Sequence, residues 1–370
     1  MRPADPKLLV NPGRRHDESV AAAAASAAFH RRLPGYAPTR LVDAPALAAE
    51  LGLASIVIKD ESHRLGLPSF KILGASWAVY QLLVRMLGHE PAWRDLEELR
   101  AALAPLGALT LVAATDGNHG RAVARMAHLL GYDAQILVPA GTAAARIDAI
   151  AGEGAEVTVV DGTYDDAVRA SAALASERVL VVSDTSWDGY TEVPRTVIEG
   201  YRTIFAELDA QLTSAPEVVV VPMGVGALAA AVVQHYAANA TIIAVEPLSA
   251  ACGLHSAAAG HPVHVPGPHD SIMAGLNCGT VSQVAWPTVS AGVDLFVAVD
   301  DAAAEQAMRD LAAVGVVAGE TGAAALAGLR AVTETEADVR DRRALVLCTE
   351  GATDPVAYAR IVGREPDGNH

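Results

Sequence analysis

The sequence has 370 residues, 52% of them hydrophobic and 4% aromatic, and a formal net charge of −16 at pH 7. A chain of this length can bury the cores of two domains. The negative charge argues against a nucleic acid or an anionic membrane as partner, because both are polyanions. Three cysteines, Cys252, Cys278 and Cys348, cannot form a full set of disulfides, so we expect a reducing compartment, the cytoplasm.

The N-terminal part of the chain predicts a tail, helices and one strand. Residues 1–15 are rich in Pro and Arg and are interpreted as a loose tail, and residues 17–32 have a helical pattern. A short helix is expected at residues 46–51, followed by a β-branched strand at residues 55–58. Residues 91–107 predict a further helix with a polar face.

A lysine follows this first strand at the start of the next predicted helix. Ser69 precedes it and is a residue type that caps helix N-termini. Lys71 falls in the first turn, where the helix dipole disfavours a cation and favours the neutral amine that Schiff-base chemistry needs. Taken alone, the pattern is more typical of a solvated surface lysine, so its interpretation depends on the other motifs.

Strands and helices alternate from residue 109 onwards, which is typical of parallel α/β sheets. A first group of strands is predicted at residues 109–114, 134–138, 156–160 and 179–183. A second group is predicted at residues 218–221, 242–245, 295–299 and 344–347. We therefore predict an α/β fold with two open parallel-sheet domains, in which residues 109–212 form a small domain inserted in a large one of residues 1–108 and 213–370. The strand before Lys71 is expected to join the larger sheet.

Polar loops follow several strands at the edge where parallel sheets bind ligands. The run Thr-Asp-Gly-Asn-His-Gly at residues 115–120 follows one strand, and Asp184 follows the last strand of the same group. Asp116 and Asp184 can therefore face one pocket. An Asx turn or a helix cap explains either aspartate alone, but not the whole run. After the final strand, Thr349 offers a neutral hydroxyl.

A glycine loop at residues 223–226 joins the strand at residues 218–221 to a helix. Such glycines let backbone N–H groups approach an anion, and the helix N-terminus stabilises its charge. The same spacing fits a dinucleotide fingerprint, with Glu246 placed to bind a ribose. A phosphate loop, a nicotinamide-dependent oxidoreductase and a turn needed only for packing are all compatible with this stretch. Its glycines and Pro222 argue against a membrane span.

A group of histidines raises the question of a metal. His255, His261, His264 and His269 lie near Cys252 in the sequence. Their spacing matches no zinc pattern, so we expect loop histidines and no metal.

In this order, the motifs resemble those of pyridoxal phosphate enzymes with the tryptophan synthase β-subunit fold (fold type II), and most closely the diaminopropionate ammonia-lyase family. The likeness runs from about Phe29 to about Tyr358. A lysine and glycine loops mark only the superfamily, whereas the run at residues 115–121 and the segment at residues 184–191 point to the lyase branch. Ala352, where an acidic residue is usual, and Thr321, where serine is usual, leave the natural substrate open.

The resemblance implies a role for each matching residue. Lys71 would hold the cofactor, pyridoxal 5'-phosphate, as a Schiff base. Asp116 and Asp184 would be bases at the two faces of the substrate Cα, so that both D- and L-substrates react. Other residues would bind the cofactor: Phe70, Asn118, Met223, Gly224, Val225, Gly226 and Thr349. The remaining matches would line the substrate pocket: Ser69, Thr115, His119 and Glu320.

The implied reaction is α,β-elimination of ammonia from 2,3-diaminopropionate, giving pyruvate and ammonia, in a homodimer. Two other enzymes stay open: one that performs elimination or β-replacement on another β-substituted amino acid, and the nicotinamide-dependent oxidoreductase. A degenerate binding protein of the same fold is a third alternative. The presence together of Lys71, Asp116 and Asp184 argues against it.

Overall fold

The computed structural model describes residues 7–15, 24–115, 117–335 and 339–366. In chain order its strands are β1 (Lys7–Val10), β2 (Leu41–Asp43), β3 (Ser55–Asp60), β4 (Thr110–Ala114), β5 (Asp133–Pro139), β6 (Glu156–Val160), β7 (Val179–Val181), β8 (Val218–Pro222), β9 (Thr241–Pro247), β10 (Leu295–Val299) and β11 (Arg343–Cys348). Its α-helices are α1 (Ala24–His30), α2 (Pro45–Leu51), α3 (Lys71–Leu87), α4 (Leu96–Leu103), α5 (Asn118–Leu130), α6 (Ala144–Ala151), α7 (Tyr164–Ala173), α8 (Glu192–Tyr201), α9 (Thr203–Gln211), α10 (Ala227–Tyr236), α11 (Cys252–Ala259), α12 (Trp286–Gly292), α13 (Asp301–Ala313), α14 (Glu320–Thr333) and α15 (Pro355–Val362).

The strands form two sheets, as predicted. The larger sheet has the order β1-β10-β9-β8-β11-β3-β2, and the smaller one has the order β6-β5-β4-β7. The strand before Lys71 joins the larger sheet, where β3 pairs in parallel with β11. The α/β fold class is therefore confirmed, and the proposed domain limits at residues 109 and 212 stay a prediction. Within the described residues, no helix combines the length and apolarity needed to cross a membrane.

Apolar side chains cover both faces of the larger sheet, which explains its uninterrupted hydrophobic strands. Along β8, Val219 and Val221 face a core that extends to the smaller sheet, whereas Val218 and Val220 face a second core with α13 and α14. Because successive strand residues point to opposite faces, one run of four valines contributes to both cores. The first core packs the two sheets together around α3 and α5.

The edges of the larger sheet depart from the prediction. β1 pairs antiparallel with β10, and β2 pairs antiparallel with β3. The interpretation of residues 7–10 as part of a loose tail is therefore wrong, because their backbone groups complete the edge of β10. The sheet is consequently mixed rather than wholly parallel. The helix predicted at residues 91–107 is also shorter, since the Asp95 side chain accepts the N–H of Glu98 and starts α4 at Leu96.

A buried ion cluster lies next to the segment that leads to Lys71. Arg64 donates hydrogen bonds to both carboxylate oxygens of Glu61, at 2.6 and 2.8 Å, and to both of Glu207, also at 2.6 and 2.8 Å. Lys59 Nζ donates to Glu207 Oε2 at 2.7 Å. Burial opposes ionisation of Glu207, but its bonds to Arg64 and Lys59 lower its pKa to about 2. The cluster therefore fixes α9 against the chain that precedes Lys71.

We expect Glu207→Ala to lower the free energy of unfolding by about 3–5 kcal/mol, because Arg64 and Lys59 stay buried without that partner. Denaturant unfolding measures this loss. Because Glu207 has a depressed pKa, its contribution is present above the ordinary glutamate pKa and is lost as the pH falls through about 2, so the two proteins converge in acid.

The matched control is Asp209→Ala on the same helix. The Asp209 side chain is 60% exposed, and its one ion pair within the described residues is with His235 at 3.0 Å. Its loss should change the free energy of unfolding by about 0.5 kcal/mol or less. Equal unfolding midpoints for the Glu207 and Asp209 variants would contradict a structural role for the cluster.

Candidate active site

A cavity opens between the two sheets, at the carboxyl ends of several parallel strands. Its wall combines the start of α3, the start of α5, the segment after β7, the glycine loop after β8, residues 275–278 and the turn after β11. Nine residues selected from the sequence line it: Phe70, Lys71, Asn118, Asp184, Met223, Gly224, Val225, Gly226 and Thr349.

Lys71 is the first residue of α3, as predicted, but the helix start is built differently. The N-cap residue is Phe70, and no side chain caps the helix. The capping role predicted for Ser69 is therefore wrong, because Ser69 forms an antiparallel bridge with Glu350. Next to it, the N–H of Phe70 donates to the carbonyl of Thr349 at 3.3 Å. This bridge ties the lysine to the turn that carries Thr349.

The chain has only three lysines, Lys7, Lys59 and Lys71. Lys7 lies on the edge strand β1, and Lys59 has a fully buried side chain held in the ion cluster. Lys71 lines the cavity with a side chain that is 20% exposed. It is therefore the lysine that a cofactor in the cavity can reach.

Lys71 pairs with a buried carboxylate. Its Nζ donates to Oδ2 of Asp184 at 2.6 Å, and Nδ1 of His119 lies 4.0 Å from the same oxygen. Burial opposes ionisation of Asp184, but the charge of Lys71, which also donates a hydrogen bond to it, holds its pKa well below the ordinary aspartate value. Asp184 is consequently a carboxylate that can accept a proton beside the lysine amine. The sequence placed both residues in the site but did not predict their contact.

The glycine loop forms an anion cradle. Gly226 has a φ of +96°, which favours glycine, and α10 starts at the next residue without a side-chain cap. A Cβ on Gly224 would lie 3.0 Å from the carbonyl oxygen of Gly275 and 3.2 Å from Sγ of Cys278. Glycine at position 224 thus keeps the loop close to residues 275–278. The uncapped N–H groups of α10 suit a phosphate dianion.

The polar groups opposite this cradle fit the ring of pyridoxal phosphate. The hydroxyl of Thr349 is buried, lines the cavity and has no hydrogen-bond partner in the part of the chain that the structure describes. A neutral hydroxyl of this kind suits a ring nitrogen, as the resemblance implies. The side-chain amide of Asn118 donates to Oε2 of Glu350. A reachable lysine, an uncapped helix N-terminus and an unpartnered hydroxyl together fit the predicted cofactor.

The residues predicted to form the substrate pocket lie around the cavity. Ser69, Thr115 and His119 are buried behind its wall, and the Thr115 hydroxyl accepts the N–H groups of Gly117 and Gly120 at 2.9 and 3.1 Å. Glu320 borders the groove that continues from the cavity, and burial, with the charge of Glu350, raises its pKa to about 7. Their contact with substrate stays a prediction. Asp116 lies outside the described residues.

Sequence reasoning missed two tyrosines in the cavity wall. Tyr201, in α8, packs on Phe70 with 4.7 Å between ring centroids. Tyr164 begins α7 just beyond β6. The rule that ligands bind at strand carboxyl ends would have found Tyr164, whereas nothing in the local pattern marks Tyr201.

The structure argues against a dinucleotide site, because Glu246 is not placed to bind a ribose. Glu246 is fully buried, and its carboxylate accepts the N–H groups of Gly253 and Leu254 at 2.7 and 2.8 Å. It therefore caps α11 rather than facing a ligand, and the role weighed for it is wrong. His264 and His269 bond within their own loop region, to Thr280 and to the carbonyl of Val265.

Comparisons with known proteins agree with this site. The family model described as pyridoxal-phosphate dependent enzyme matches residues 32–350. The fold and the site thus define a pyridoxal phosphate-dependent enzyme of fold type II, whose cofactor is pyridoxal 5'-phosphate.

Individual relatives narrow this class. The chain is 36% identical to the diaminopropionate ammonia-lyase of Escherichia coli K12 over 357 residues, which cover 90% of this chain and 89% of that protein. The Salmonella typhimurium enzyme is 36% identical over 367 residues, with 90% of each chain covered. The crystal structure of the Escherichia coli enzyme in complex with D-serine superposes with a TM-score of 0.90 at 34% identity, and covers 97% of both chains. The chain belongs to the diaminopropionate ammonia-lyase family of pyridoxal phosphate-dependent enzymes.

We expect Gly226→Asp to weaken cofactor binding roughly tenfold or more relative to Gly226→Asn. The two side chains have the same size and meet the same backbone strain, so only the aspartate charge opposes the phosphate at close range. Titration of the cofactor-free proteins with pyridoxal phosphate, followed by absorbance, measures the difference. Equal dissociation constants for the two variants would contradict the assignment of the phosphate cradle, and their melting temperatures report any loss of folding.

Proposed function

We propose that this chain eliminates ammonia from 2,3-diaminopropionate and so yields pyruvate and ammonia. The observation that carries the proposal is the pairing of Lys71 with Asp184 in a cavity that also holds a phosphate cradle. A base beside the cofactor lysine is what an α,β-elimination requires. The similarity to two diaminopropionate ammonia-lyases over about nine-tenths of each chain supports the choice of substrate.

The chain's own groups would hold the cofactor in one orientation. When bound, pyridoxal phosphate acts as an electron sink that acidifies the Cα–H bond of an attached amino acid. Lys71 would bond to it covalently, residues 224–226 and the start of α10 would bind its phosphate, and the Thr349 hydroxyl would face its ring nitrogen. Because Thr349 is neutral, it would not keep the ring nitrogen of the cofactor protonated. The cofactor would therefore be a weaker electron sink than one whose ring nitrogen faces an acidic residue.

Two carboxylates would remove the Cα proton, one for each enantiomer. Asp184, ionised and buried, would serve the L-isomer, and Lys71 can share that face. The family resemblance assigns Asp116 to the D-isomer. The β-nitrogen leaves with a proton from the site. Subsequent hydrolysis of the released three-carbon product gives pyruvate and the second ammonia.

A second candidate is elimination from another β-substituted amino acid, such as a hydroxy or carbamoyl analogue. The biosynthetic L-threonine dehydratase of Mycobacterium leprae is 31% identical over 359 residues, covering 93% of this chain and 75% of that protein. Thr321, one of the two residues that depart from the family pattern, lines the cavity. Threonine in place of the usual serine adds a methyl group to the cavity wall, which gives this alternative its support.

We also propose a cytoplasmic homodimer that needs neither a nucleic acid nor a membrane partner. Cys252, Cys278 and Cys348 are buried thiols, which suits a reducing compartment. The dimer rests on the family resemblance. Light scattering of the purified protein tests it directly.

A substrate panel tests the function. We expect the purified protein with pyridoxal phosphate to release pyruvate from D- or L-2,3-diaminopropionate with a kcat/KM at least about tenfold above those for serine and threonine. That margin corresponds to 1.4 kcal/mol of transition-state binding. Lys71→Ala is the control for background chemistry. A higher kcat/KM for serine, threonine or a carbamoyl analogue would reject diaminopropionate as the preferred substrate.

The two aspartates should differ in stereochemistry. We expect Asp116→Asn to impair turnover of D-2,3-diaminopropionate and Asp184→Asn that of the L-isomer, each by about 10²–10⁴-fold, because the amide keeps the shape and loses the base. Kinetics with each enantiomer, beside the melting temperature, measure the effect. If both variants lose both activities in step with stability, the aspartates are structural and only Lys71 is left as a base.

A further inference from the structure

His119 is a buried histidine whose chemistry the proposed reaction leaves unused. It is 3% exposed and belongs to α5, and one of its ring nitrogens lies 4.0 Å from Oδ2 of Asp184. That nitrogen, Nδ1, is buried and makes no hydrogen bond to any residue that the structure describes. A buried polar atom without a partner is unfavourable, so its presence beside the catalytic carboxylate calls for an explanation.

The hydrogen bond on the other side of the ring defines the tautomer. Nε2 of His119 lies 2.8 Å from the carbonyl oxygen of Val182. A carbonyl only accepts, so Nε2 carries the hydrogen and donates it. Burial lowers the pKa of His119, against the opposing charge of Asp184, and the ring is therefore neutral. Nδ1 consequently presents a lone pair.

Two proton acceptors thus face each other without a proton between them. The Asp184 carboxylate and the Nδ1 lone pair both accept, which is consistent with their 4.0 Å separation. A proton on Oδ2 would turn this pair into a donor and an acceptor. A small decrease in the distance between Oδ2 and Nδ1 would then form a hydrogen bond. Among the described residues, the charged and titratable groups around Asp184 are Lys71, His119, Tyr190 and Tyr201. Among them only His119 offers an unprotonated nitrogen.

We propose that Nδ1 of His119 accepts a hydrogen bond from Asp184 once Asp184 has taken the Cα proton, so that His119 is a positioning residue for the base of the L-isomer. This inference rests on the proposed function and deepens it. His119 acts through Asp184 rather than on the substrate. Because the bond exists only after proton transfer begins, it stabilises the transition state and not the bound substrate.

The proton balance closes within the site. Oδ2 of Asp184 would take the proton as the Cα–H bond breaks, and the electron pair of that bond would be left to the electron sink that pyridoxal phosphate would supply, its phosphate held by residues 224–226. The Oδ2–H group bonds to Nδ1 of His119 while the Cβ–N bond weakens. The proton then moves to the β-nitrogen, which leaves as ammonia, and Asp184 is again a carboxylate. No oxidant, reductant or external proton is needed for this step.

Two substitutions separate the two nitrogens of the ring. His119→Gln places an amide N–H near the position of Nε2, where it can still donate to Val182, and removes the acceptor at Nδ1. His119→Asn places a carbonyl oxygen near the position of Nδ1 and removes the bond to Val182. His119→Gln therefore keeps the structural hydrogen bond to Val182 and loses the proposed catalytic one. His119→Asn does the reverse.

We expect His119→Gln to lower kcat for L-2,3-diaminopropionate roughly 10- to 100-fold, by analogy with the losses found when the hydrogen-bond partners of metal ligands are removed. KM for the L-isomer should change less than kcat, and turnover of the D-isomer should fall less than turnover of the L-isomer. The acid limb of the kcat profile should move to lower pH, because an acceptor that stabilises protonated Asp184 raises its pKa and its loss lowers it. Compared with His119→Gln, His119→Asn should have a higher kcat and a lower melting temperature.

Equal losses for the two enantiomers, or an unmoved acid limb in His119→Gln, would overturn the proposal and leave His119 as a packing residue. Nitrogen NMR of histidine-labelled wild-type protein gives a readout that needs no substrate. We expect the Nε2–H tautomer for His119 near neutral pH, and in Asp184→Asn, whose amide can donate, a shift of Nδ1 toward a hydrogen-bonded nitrogen. A protonated Nδ1 in the wild type would contradict the proposal. If the wild type does not act on diaminopropionate, the proposed function fails while this NMR test still stands.

Discussion

The ion pair between Lys71 and Asp184 is the contact on which the site depends, because it joins a helix beside the larger sheet to the end of a strand in the smaller one. The two residues are 113 positions apart, and their atoms lie 2.6 Å from each other. Without a cofactor, the pair neutralises two charges in a largely buried cavity. Covalent attachment of the cofactor would take the lysine from the pair, and a nearly buried carboxylate would then sit beside the substrate.

Buried constraints hold each partner of this pair in place. The bridge between Ser69 and Glu350 and the cluster around Arg64 fix the chain on the N-terminal side of Lys71. On the other side, the backbone N–H of Ser183 donates to the hydroxyl of Tyr190 at 3.0 Å, and that hydroxyl donates to the carbonyl of Val181 at 2.8 Å. In the proposed function, a base held between rigid supports would need little reorganisation during proton transfer, which would favour catalysis. The anion cradle is built separately, by the backbone of the glycine loop.

The sequence predicted the features that local patterns determine. Buried parallel strands are uninterrupted apolar runs, so both sheets were found, and the rule for strand ends brought Asn118, Asp184 and Thr349 to one cavity. Edge strands of three or four residues, such as β1, are too short to show the alternation of apolar and polar residues that marks a strand. The bridge that displaced the predicted cap at Ser69 involves Glu350, at a distance that no local pattern encodes. Glu246 was misplaced for the same reason, since its partners belong to a helix start that the chain reaches later.

Reduction of the holoenzyme with borohydride tests the central claim, that Lys71 holds the cofactor, more directly than any kinetic measurement. The reduced bond blocks trypsin at the modified lysine, so digestion should leave the peptide of residues 65–85 uncut at Lys71 and heavier by the reduced cofactor. Mass spectrometry should find the added mass on that peptide alone. Attachment to Lys59 or Lys7, or no attachment at all, would contradict the account.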